Sequence, residues 1–360
     1  MDQTDLFPEV NAMQLASRIL FSLVLLVFLL VPKAGLAQDT LRIADLGDFR
    51  LENGQVMRDC RLGYRTFGTL NKDGSNAILF TTWLAGSSED LVSLGFIGPS
   101  KLADTSRYYV IAIDAFGNGV SASPSTSIKQ PGRSFPEFSI RDMVRAQHRL
   151  LTRHLHLDRL YAVMGISMGG MQALQWVISY PQFAKRAVSI MGSPRPTSND
   201  ILVFNAELRA IEAAGAENDG DVWGFKTLAA LQAIVTRTPE FYLRNIPQAD
   251  VPRLLADTEK ALMKYNLTDW AWQLKAILGH NIFKTPVTSE AEAAKTIRAK
   301  LLVVVSRNDL LVNPEPSLAL AAALKSKALV LQGDCGHFSF LCETDLITST
   351  TASFLDRGNE

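Results

Sequence analysis

Six short apolar runs recur along the chain after residue 76, and segments with helical periodicity separate most of them. Each run is five to seven residues long, which is the usual length of a strand. The runs are apolar throughout instead of alternating, so we expect strands that are buried on both faces of a parallel sheet. They lie at residues 77–83, 108–114, 160–164, 187–191, 301–306 and 328–332.

Shorter signals complete the predicted sheet and its helices. Residues 49–51 and 61–67 flank Asn53-Gly54, a dipeptide that favours a hairpin turn. The clearest helix spans residues 139–156, where Ser139 and Asp142 form a capping pattern and apolar residues follow at helical spacing. The alternation of strands and helices predicts an α/β fold, with a mostly parallel sheet flanked by helices.

A long stretch between the fourth and fifth apolar runs, residues 194–300, has helical patterns and no convincing strand. We interpret it as a helical insertion over the carboxyl edge of the sheet, where a lid would lie. The predicted organisation is therefore a core formed by residues 38–193 and 301–360, with a lid formed by residues 194–300.

The first 37 residues have the features of a signal peptide. Residues 19–31 are 13 uncharged apolar residues preceded by Arg18, which suits a signal-peptide core and is short for a membrane span of about 20 residues. Small residues at 35 and 37 predict cleavage after Ala37, with export of the mature chain. An uncleaved membrane anchor at residues 19–31 is the alternative, and translation from Met13 instead of Met1 is also open.

The composition argues against several partners and leaves the cysteines open. Thirty-six basic and 36 acidic residues cancel, so nothing indicates nucleic acid or an anionic membrane surface as a partner. The spacing of cysteine with histidine does not suit a zinc site, and we predict no metal and no cofactor. One disulfide with one free thiol among Cys60, Cys335 and Cys342, or three buried thiols, are both open. A homodimer is open as well.

The pattern Gly-x-Ser-x-Gly at residues 165–169 directly follows the third apolar run, and a helix-forming segment at 171–180 comes next. This order of strand, tight turn and helix is that of a nucleophile elbow, in which only small residues fit beside the serine. We therefore predict that Ser167 is a nucleophile. The backbone N–H of Met168, at the start of the helix, is predicted to donate to an oxyanion.

A serine nucleophile needs a base, and the base needs an acid that fixes its tautomer. In a fold of this kind the chain order is serine, acid, histidine. Only His280 and His337 follow Ser167 in the chain. We predict that His337 is the base because it comes just after the last apolar run. His280 falls in the helical insertion, where solvation or packing of the lid explains it.

The acid is predicted at Asp309, which follows the fifth apolar run by three residues. Glu315 and Asp334 are its rivals, although Asp334 is so close to His337 along the chain that the two side chains would rarely face each other. A second oxyanion donor is predicted in the loop after the first run, at the N–H of Leu84.

Two long segments carry a family resemblance. Residues 135–147 and 165–176, with Tyr180-Pro181 after them, resemble the homoserine O-acetyltransferase branch of the α/β-hydrolase fold superfamily. Looser similarity at residues 306–314 and 336–341 extends the resemblance to the whole core.

The resemblance implies roles for individual residues. It makes Ser167 the acyl-accepting nucleophile, with Asp309 and His337 completing the triad. Leu84 matches the oxyanion loop of the family. Arg209, near the start of the first lid helix, matches an arginine that helps to hold an amino-acid substrate.

The chain departs from the family pattern in two segments. The segment 119–133 is shorter than the corresponding segment of the family. The lid between residues 212 and 244 lacks the family's usual glycine-rich and tyrosine-rich run. We therefore predict an exported serine hydrolase that acts on a small ester or related acyl substrate, away from cytoplasmic acetyl-CoA. An O-acyltransferase that uses acetyl-CoA is the alternative, and a catalytically silent binding protein is a third interpretation.

Aromatic residues of the insertion favour an apolar acyl or alcohol group in the substrate, or simply pack the lid. They are Trp223, Phe225, Phe241, Tyr242, Trp270 and Trp272.

Overall fold

The computed structural model of the chain describes residues 40–214, 220–284 and 286–356. The predicted signal peptide, the alternative anchor at residues 19–31 and both candidate start residues lie outside this part of the chain. Within it, no helix combines the length and the apolar character that crossing a membrane requires.

The strands that the structure describes include all six predicted runs. They are β1 Arg42–Arg50, β2 Val56–Phe67, β3 Ala77–Thr81, β4 Ile97–Gly98, β5 Ala103–Asp104, β6 Tyr109–Ile113, β7 Leu160–Ile166, β8 Ala184–Ile190, β9 Lys300–Ser306 and β10 Lys327–Leu331. Eight of them form one sheet in the order β1-β2-β6-β3-β7-β8-β9-β10, and β4 pairs with β5 separately. The six strands from β6 to β10 in this order pair in parallel, which confirms the predicted α/β fold.

The amino-terminal hairpin is longer than its sequence pattern predicts. β1 and β2 pair in antiparallel register from Arg42 with Tyr64 to Arg50 with Val56. Shifts in register around Gly47 interrupt the alternation of buried and exposed residues in β1, so the sequence of this strand lacks a regular period of two. β2 in turn pairs antiparallel with β6 and joins the hairpin to the parallel part of the sheet.

Helices cover both faces of the sheet. They are α1 Ser88–Ser93, α2 Ile140–Arg153 and α3 Met168–Ser179, followed after the insertion by α10 Glu315–Ala323, α11 Ser339–Cys342 and α12 Thr344–Asp356. Successive residues of β3 point to opposite faces of the sheet. Leu79 belongs to the apolar cluster that contains Trp176, and Phe80 belongs to the cluster that contains Leu355. The capping box predicted for α2 is present, since Ser139 Oγ accepts from the Asp142 N–H and the Asp142 carboxylate accepts from the Ser139 N–H.

The described residues between β8 and β9 form helices and no strand. These helices are α4 Ser198–Ala214, α5 Gly220–Thr236, α6 Pro239–Asn245, α7 Val251–Leu262, α8 Leu267–Leu278 and α9 Glu290–Thr296. The chain enters them from the carboxyl end of β8. That edge of an open parallel sheet is where α/β proteins place their binding sites.

Candidate active site

Ser167 stands at a sharp turn between β7 and α3. Its backbone φ of 57° lies in the left-handed region, and its N–H donates to the carbonyl of Ile190 on β8. A Cβ at Gly165 would lie 2.3 Å from the backbone of Gly169, and a Cβ at Gly169 would lie 2.4 Å from the carbonyl oxygen of Thr81. Close backbone approach therefore requires both glycines, and the turn has the geometry of a nucleophile elbow.

His337 and Asp309 meet Ser167 at the carboxyl edge of the sheet. His337 lies in a short 3-10 turn after β10, and Asp309 lies in the loop after β9. Nε2 of His337 is 3.0 Å from Oγ of Ser167, and Nδ1 of His337 is 2.7 Å from Oδ2 of Asp309. The His337 and Asp309 side chains are only 3% and 1% exposed. The structure thus brings the three predicted triad residues into one continuous chain of contacts.

The Asp309 carboxylate is also held through its second oxygen. Its Oδ1 accepts hydrogen bonds from the N–H groups of Leu311 and Val312, each at 2.9 Å. Two backbone donors on one oxygen fix the plane of the carboxylate and leave Oδ2 for the imidazole. This contact orients the ring of His337 with Nε2 towards Ser167, as the predicted role of Asp309 requires.

The rival residues named from the sequence are engaged elsewhere. Glu315 forms an ion pair with a neighbouring arginine at 3.2 Å, and Asp334 forms one with Arg244 at 2.9 Å. His280 is buried, with Nε2 at 3.1 Å from the carbonyl oxygen of Ser193. Burial lowers the pKa of His280 to about 3, so it stays neutral and packs the insertion.

The two predicted oxyanion donors lie beside Ser167. Leu84 lines the same cavity as Ser167 and His337, and Met168 is the first residue of α3. Among the described residues, neither the Leu84 N–H nor the Met168 N–H donates to a protein acceptor. Unpaired N–H groups next to a nucleophile, one of them at a helix start, are suited to stabilise negative charge on a reacting oxygen.

Buried and half-buried polar side chains hold the loop that carries Leu84, and the sequence interpretation missed all of them. Four hydrogen bonds join Gln172 Nε2 to the Thr82 carbonyl at 2.9 Å, the Ala85 N–H to Gln273 Oε1 at 2.6 Å, Asn118 Nδ2 to the Gly86 carbonyl at 3.0 Å and the Ser88 N–H to Asp114 Oδ1 at 2.7 Å. Asp114 directly follows β6, so its place after a buried strand was a usable signal. Burial raises the pKa of Asp114 to about 6.

A cavity of about 160 Å³ opens beside the Ser167 hydroxyl. Its walls come from the sheet edge and from the insertion, and they are formed by Trp83, Leu84, Ser167, Met171, Phe204, Gln232, Thr236, Leu262, Tyr265, Trp270, Ile277, Leu311, His337, Phe338 and Phe340. These lining residues include no lysine, arginine, aspartate or glutamate. A larger groove of about 1170 Å³, between the hairpin turn and helices α4 and α8, contains none of the triad residues.

The structure does not bring Arg209 to this cavity. α4 buries Phe204, Glu207, Leu208 and Ile211, whereas Arg209 is exposed. At 100° per residue, Arg209 falls on the opposite face of the helix from those four residues. The structure therefore places Arg209 on the solvent face of α4, outside the lining of this cavity, and the substrate contact stays a prediction.

Only some of the aromatic residues predicted for the lid reach the cavity. Trp270 lines the cavity. Trp272 instead donates from Nε1 to the carbonyl of Phe135 at 3.0 Å, and Trp223 is 64% exposed. Most of this aromatic content therefore packs the insertion or faces solvent.

A disulfide between Cys335 and Cys342 closes the loop that contains His337, and Cys60 is a buried free thiol. Of the two cysteine arrangements left open by the sequence, the structure has the one with a disulfide. Gly336 within this loop has a φ of 59°, and a Cβ there would lie 3.0 Å from the carbonyl oxygen of Thr236. No cluster of histidine, cysteine, aspartate or glutamate that could hold a metal ion occurs in the part of the chain that the structure describes.

Comparison with known proteins identifies the family. A family profile described as the alpha/beta hydrolase fold matches residues 84–344. The chain belongs to the α/β-hydrolase family. Its resemblance to the homoserine O-acetyltransferase branch is confirmed by the homoserine O-acetyltransferase of Methanococcoides burtonii, which is 31% identical over 356 residues, covering 86% of this chain and 72% of that relative.

Esterases of the α/β-hydrolase family are similar to the chain as well. The ethyl acetate hydrolase of Pseudomonas veronii is 35% identical over 208 residues, covering 56% of this chain and 59% of that protein. The solved structure of the acetyl esterase MekB superposes with a TM-score of 0.81 at 26% identity, covering 88% of this chain and 96% of that one. The chain is thus a hydrolase-fold enzyme with both esterases and homoserine O-acetyltransferases among its relatives.

Proposed function

We propose that the chain is an esterase that hydrolyses small acyl esters through an acyl-enzyme on Ser167. The observation that carries this proposal is the contact chain from Ser167 through His337 to Asp309, which opens onto a small, uncharged cavity. We further propose that the helices between β8 and β9 form the lid over this site.

Each residue has a defined part in the proposed reaction. Oγ of Ser167 attacks the ester carbonyl while Nε2 of His337 takes the hydroxyl proton, and Asp309 stabilises the resulting imidazolium through Nδ1. The N–H groups of Leu84 and Met168 donate to the oxyanion. The intermediate then collapses, and the alcohol leaves with the proton held on His337.

Water completes the cycle. His337 takes a proton from a water molecule, whose oxygen attacks the acyl carbon and forms a second oxyanion in the same position. Collapse of this intermediate releases the carboxylic acid and returns the proton to Ser167. The enzyme is regenerated without any further reactant.

The size and polarity of the cavity support a small ester. Its volume of about 160 Å³ is below the roughly 300 to 1000 Å³ of pockets that take drug-sized ligands. Apolar walls favour an alkyl or acyl group over a charged one. The names of two relatives, an ethyl acetate hydrolase and an acetyl esterase, agree with a short acyl chain.

The second candidate function is acetyl transfer from acetyl-CoA to a hydroxyl group. The long match to a homoserine O-acetyltransferase favours it. The lining of the cavity favours hydrolysis, because none of the described lining residues carries a charge that would pair with the carboxylate of an amino-acid acceptor. Arg209, the residue that the family resemblance offers for that pairing, faces solvent instead.

Export of the enzyme is part of the proposal. The disulfide between Cys335 and Cys342 supports an oxidising compartment, and the apolar residues 19–31 supply a signal for reaching it. Amino-terminal sequencing of the native protein tests this point, with Gln38 expected as the first residue. A native chain that begins at Met1 or Met13 in the cytoplasm would remove this part of the proposal.

The reaction is tested with purified protein that begins at Gln38. Hydrolysis of p-nitrophenyl esters with acyl chains of two to eight carbons is compared with acetyl transfer from acetyl-CoA to homoserine. We expect kcat/KM to be highest for the shortest chains and thiol release from acetyl-CoA to be independent of homoserine. A specificity constant for transfer above that for every ester would overturn the esterase assignment.

A further inference from the structure

We infer that Gln273, a residue of the helical insertion, positions the oxyanion loop and thereby sets the rate of the chemical step. This inference rests on the proposed function, because it assigns Gln273 a role towards the N–H of Leu84. Gln273 does not line the cavity, so it is a positioning residue that acts through the backbone of its neighbour.

Both polar atoms of the Gln273 amide are used. The side chain is fully buried, its Oε1 accepts from the Ala85 N–H at 2.6 Å, and its Nε2 donates to the carbonyl of Phe116 at 2.7 Å. Phe116 lies just after β6, so the amide bridges the loops that follow two adjacent strands. Turning the amide over would face a donor with a donor and an acceptor with an acceptor, so its orientation is fixed.

The residue that Gln273 holds is in an unusual conformation. Ala85 has a φ of 60°, in the left-handed region that residues with a Cβ rarely adopt, and it is buried. Such a conformation persists only when its surroundings enforce it. The Ala85 N–H belongs to the peptide unit that begins at Leu84, so the bond to Gln273 fixes the peptide next to the proposed oxyanion donor.

The other bonds to this loop come from the core. Gln172 binds the Thr82 carbonyl, Asn118 binds the Gly86 carbonyl and Asp114 binds Ser88. These contacts hold the two ends of the loop, a turn bond from the Gly86 N–H to the Trp83 carbonyl at 3.1 Å closes it, and Gln273 supplies the side-chain bond to its middle residue, Ala85. The insertion therefore contributes to the chemistry through one buried amide, in addition to the walls of the cavity.

The test compares Gln273→Leu and Gln273→Glu with Gln175→Leu. Gln175 is equally buried and lies on α3, where it bonds to Ser179 at 2.8 Å and not to the oxyanion loop. We expect kcat of Gln273→Leu, measured per titrated site, to fall about 10- to 100-fold with KM within about threefold, as for loss of an oxyanion contact that acts in the transition state. Gln175→Leu is expected to keep kcat within about twofold.

Two further readouts separate positioning from a structural role. Adding Ala85→Gly to Gln273→Leu should recover several-fold of kcat, because glycine adopts a φ near 60° without strain. Gln273→Glu keeps the acceptor for Ala85, and its carboxyl can donate to Phe116 only when protonated. Its kcat relative to the native enzyme should therefore rise as the pH falls. If Gln273→Leu fails to fold, the pH dependence of kcat in Gln273→Glu still tests the inference.

The inference and the proposed function fail separately. Wild-type kcat in both Gln273 variants, an increase in KM alone, or an equal loss in Gln175→Leu would overturn the role of Gln273 while Ser167→Ala remains inactive. Full activity of Ser167→Ala would instead overturn the proposed function itself.

Discussion

The two sides of the cavity are built by different means. The sheet side places the proposed reacting groups by backbone geometry: a left-handed Ser167, glycines packed against β3, and an Asp309 held by two backbone N–H groups. The insertion side consists of helices whose apolar side chains form the wall. Buried polar pairs tie these helices together and to the sheet.

A cluster of three polar side chains shows how the insertion side is held. Glu207 of α4 is fully buried, and its carboxylate accepts from Gln232 Nε2 at 2.7 Å and from Trp270 Nε1 at 3.3 Å. Gln232 and Trp270 both line the cavity and belong to α5 and α8. The proposed reacting groups thus lie on the sheet side, whereas the shape of the cavity depends on contacts among helices of the insertion.

The largest expected effect is on the sheet side, at the nucleophile. Ser167→Ala should lower kcat about 10⁵- to 10⁶-fold and abolish covalent labelling by a fluorophosphonate, because no other group supplies the attacking oxygen. Activity assays and labelling followed by mass spectrometry check this. Ser179→Ala, at the other end of α3, should label normally. Labelling that persists at another residue in Ser167→Ala would move the nucleophile elsewhere.

The acid should matter nearly as much. Asp309→Asn is expected to lower kcat about 10³- to 10⁴-fold, because the amide no longer stabilises the imidazolium and can impose the wrong tautomer. Asp334→Asn, on the loop of His337 itself, should stay within a few-fold of the native enzyme. Kinetics of the two variants under one set of conditions decide between them, and the opposite ranking would exclude Asp309 as the acid.

On the insertion side we expect an effect on stability that depends on pH. Burial raises the pKa of Glu207 from 4.5 to about 7. The folded state therefore binds this proton more tightly than the unfolded state, so the free energy of unfolding falls as the pH rises from about 4.5 to about 7. The shift corresponds to about 3 kcal/mol.

Glu207→Gln removes this titration. If the amide of Gln232 turns over, the new glutamine can still accept from Trp270 and donate to Gln232. Urea unfolding at several pH values should show the variant gaining about 2 to 3 kcal/mol relative to the native enzyme between pH 5 and pH 8. A difference that does not change with pH would show that the pKa of Glu207 is the same in the folded and unfolded states.

The disulfide is expected to have a somewhat smaller effect. Replacing Cys335 and Cys342 together by serine should lower the free energy of unfolding by about 2 to 3 kcal/mol, as for closure of a short loop. Because His337 lies inside that loop, kcat should fall as well, by less than for Asp309→Asn. Cys60→Ser, which leaves the disulfide intact, is the control for kcat. Unchanged unfolding of the double variant would show that the disulfide adds no stability.

The smallest effect is expected at Arg209. Arg209→Ala should change kcat and KM by less than about twofold and the free energy of unfolding by less than about 0.5 kcal/mol, because the side chain lies on the solvent face of α4. Steady-state kinetics on short esters test this directly. A large rise in KM would place Arg209 in the binding site and bring the insertion closer to the acyltransferase pattern.

The predictable parts of this molecule are those with local signals. Buried parallel strands appear as continuous apolar runs, and the loops after β7, β9 and β10 carry Ser167, Asp309 and His337 a few residues beyond them. Proximity of these loops follows from the parallel sheet, so three distant residues could be named together. The bounds of β1 could not be predicted, since its register shifts at Gly47 break the alternation.

The insertion lacks such signals. Nothing near Gln273 in the sequence indicates that its amide meets Ala85, a residue 188 positions away. For Arg209, by contrast, the sequence does carry a signal. The helical spacing of Phe204, Leu208 and Ile211 places Arg209 on the opposite face of α4. The predicted substrate contact of Arg209 rests on the family resemblance alone, and this periodicity argues against it.

Left-handed backbone has a consequence for engineering this enzyme. Ala85, Ser167 and Met191 have φ values of 60°, 57° and 50°, and they follow the adjacent strands β3, β7 and β8. Conformations of this kind cost of order 1 to 3 kcal/mol each. A selection for heat resistance would therefore favour glycine along this edge, and at Ser167 that substitution would remove the strain and the turnover together.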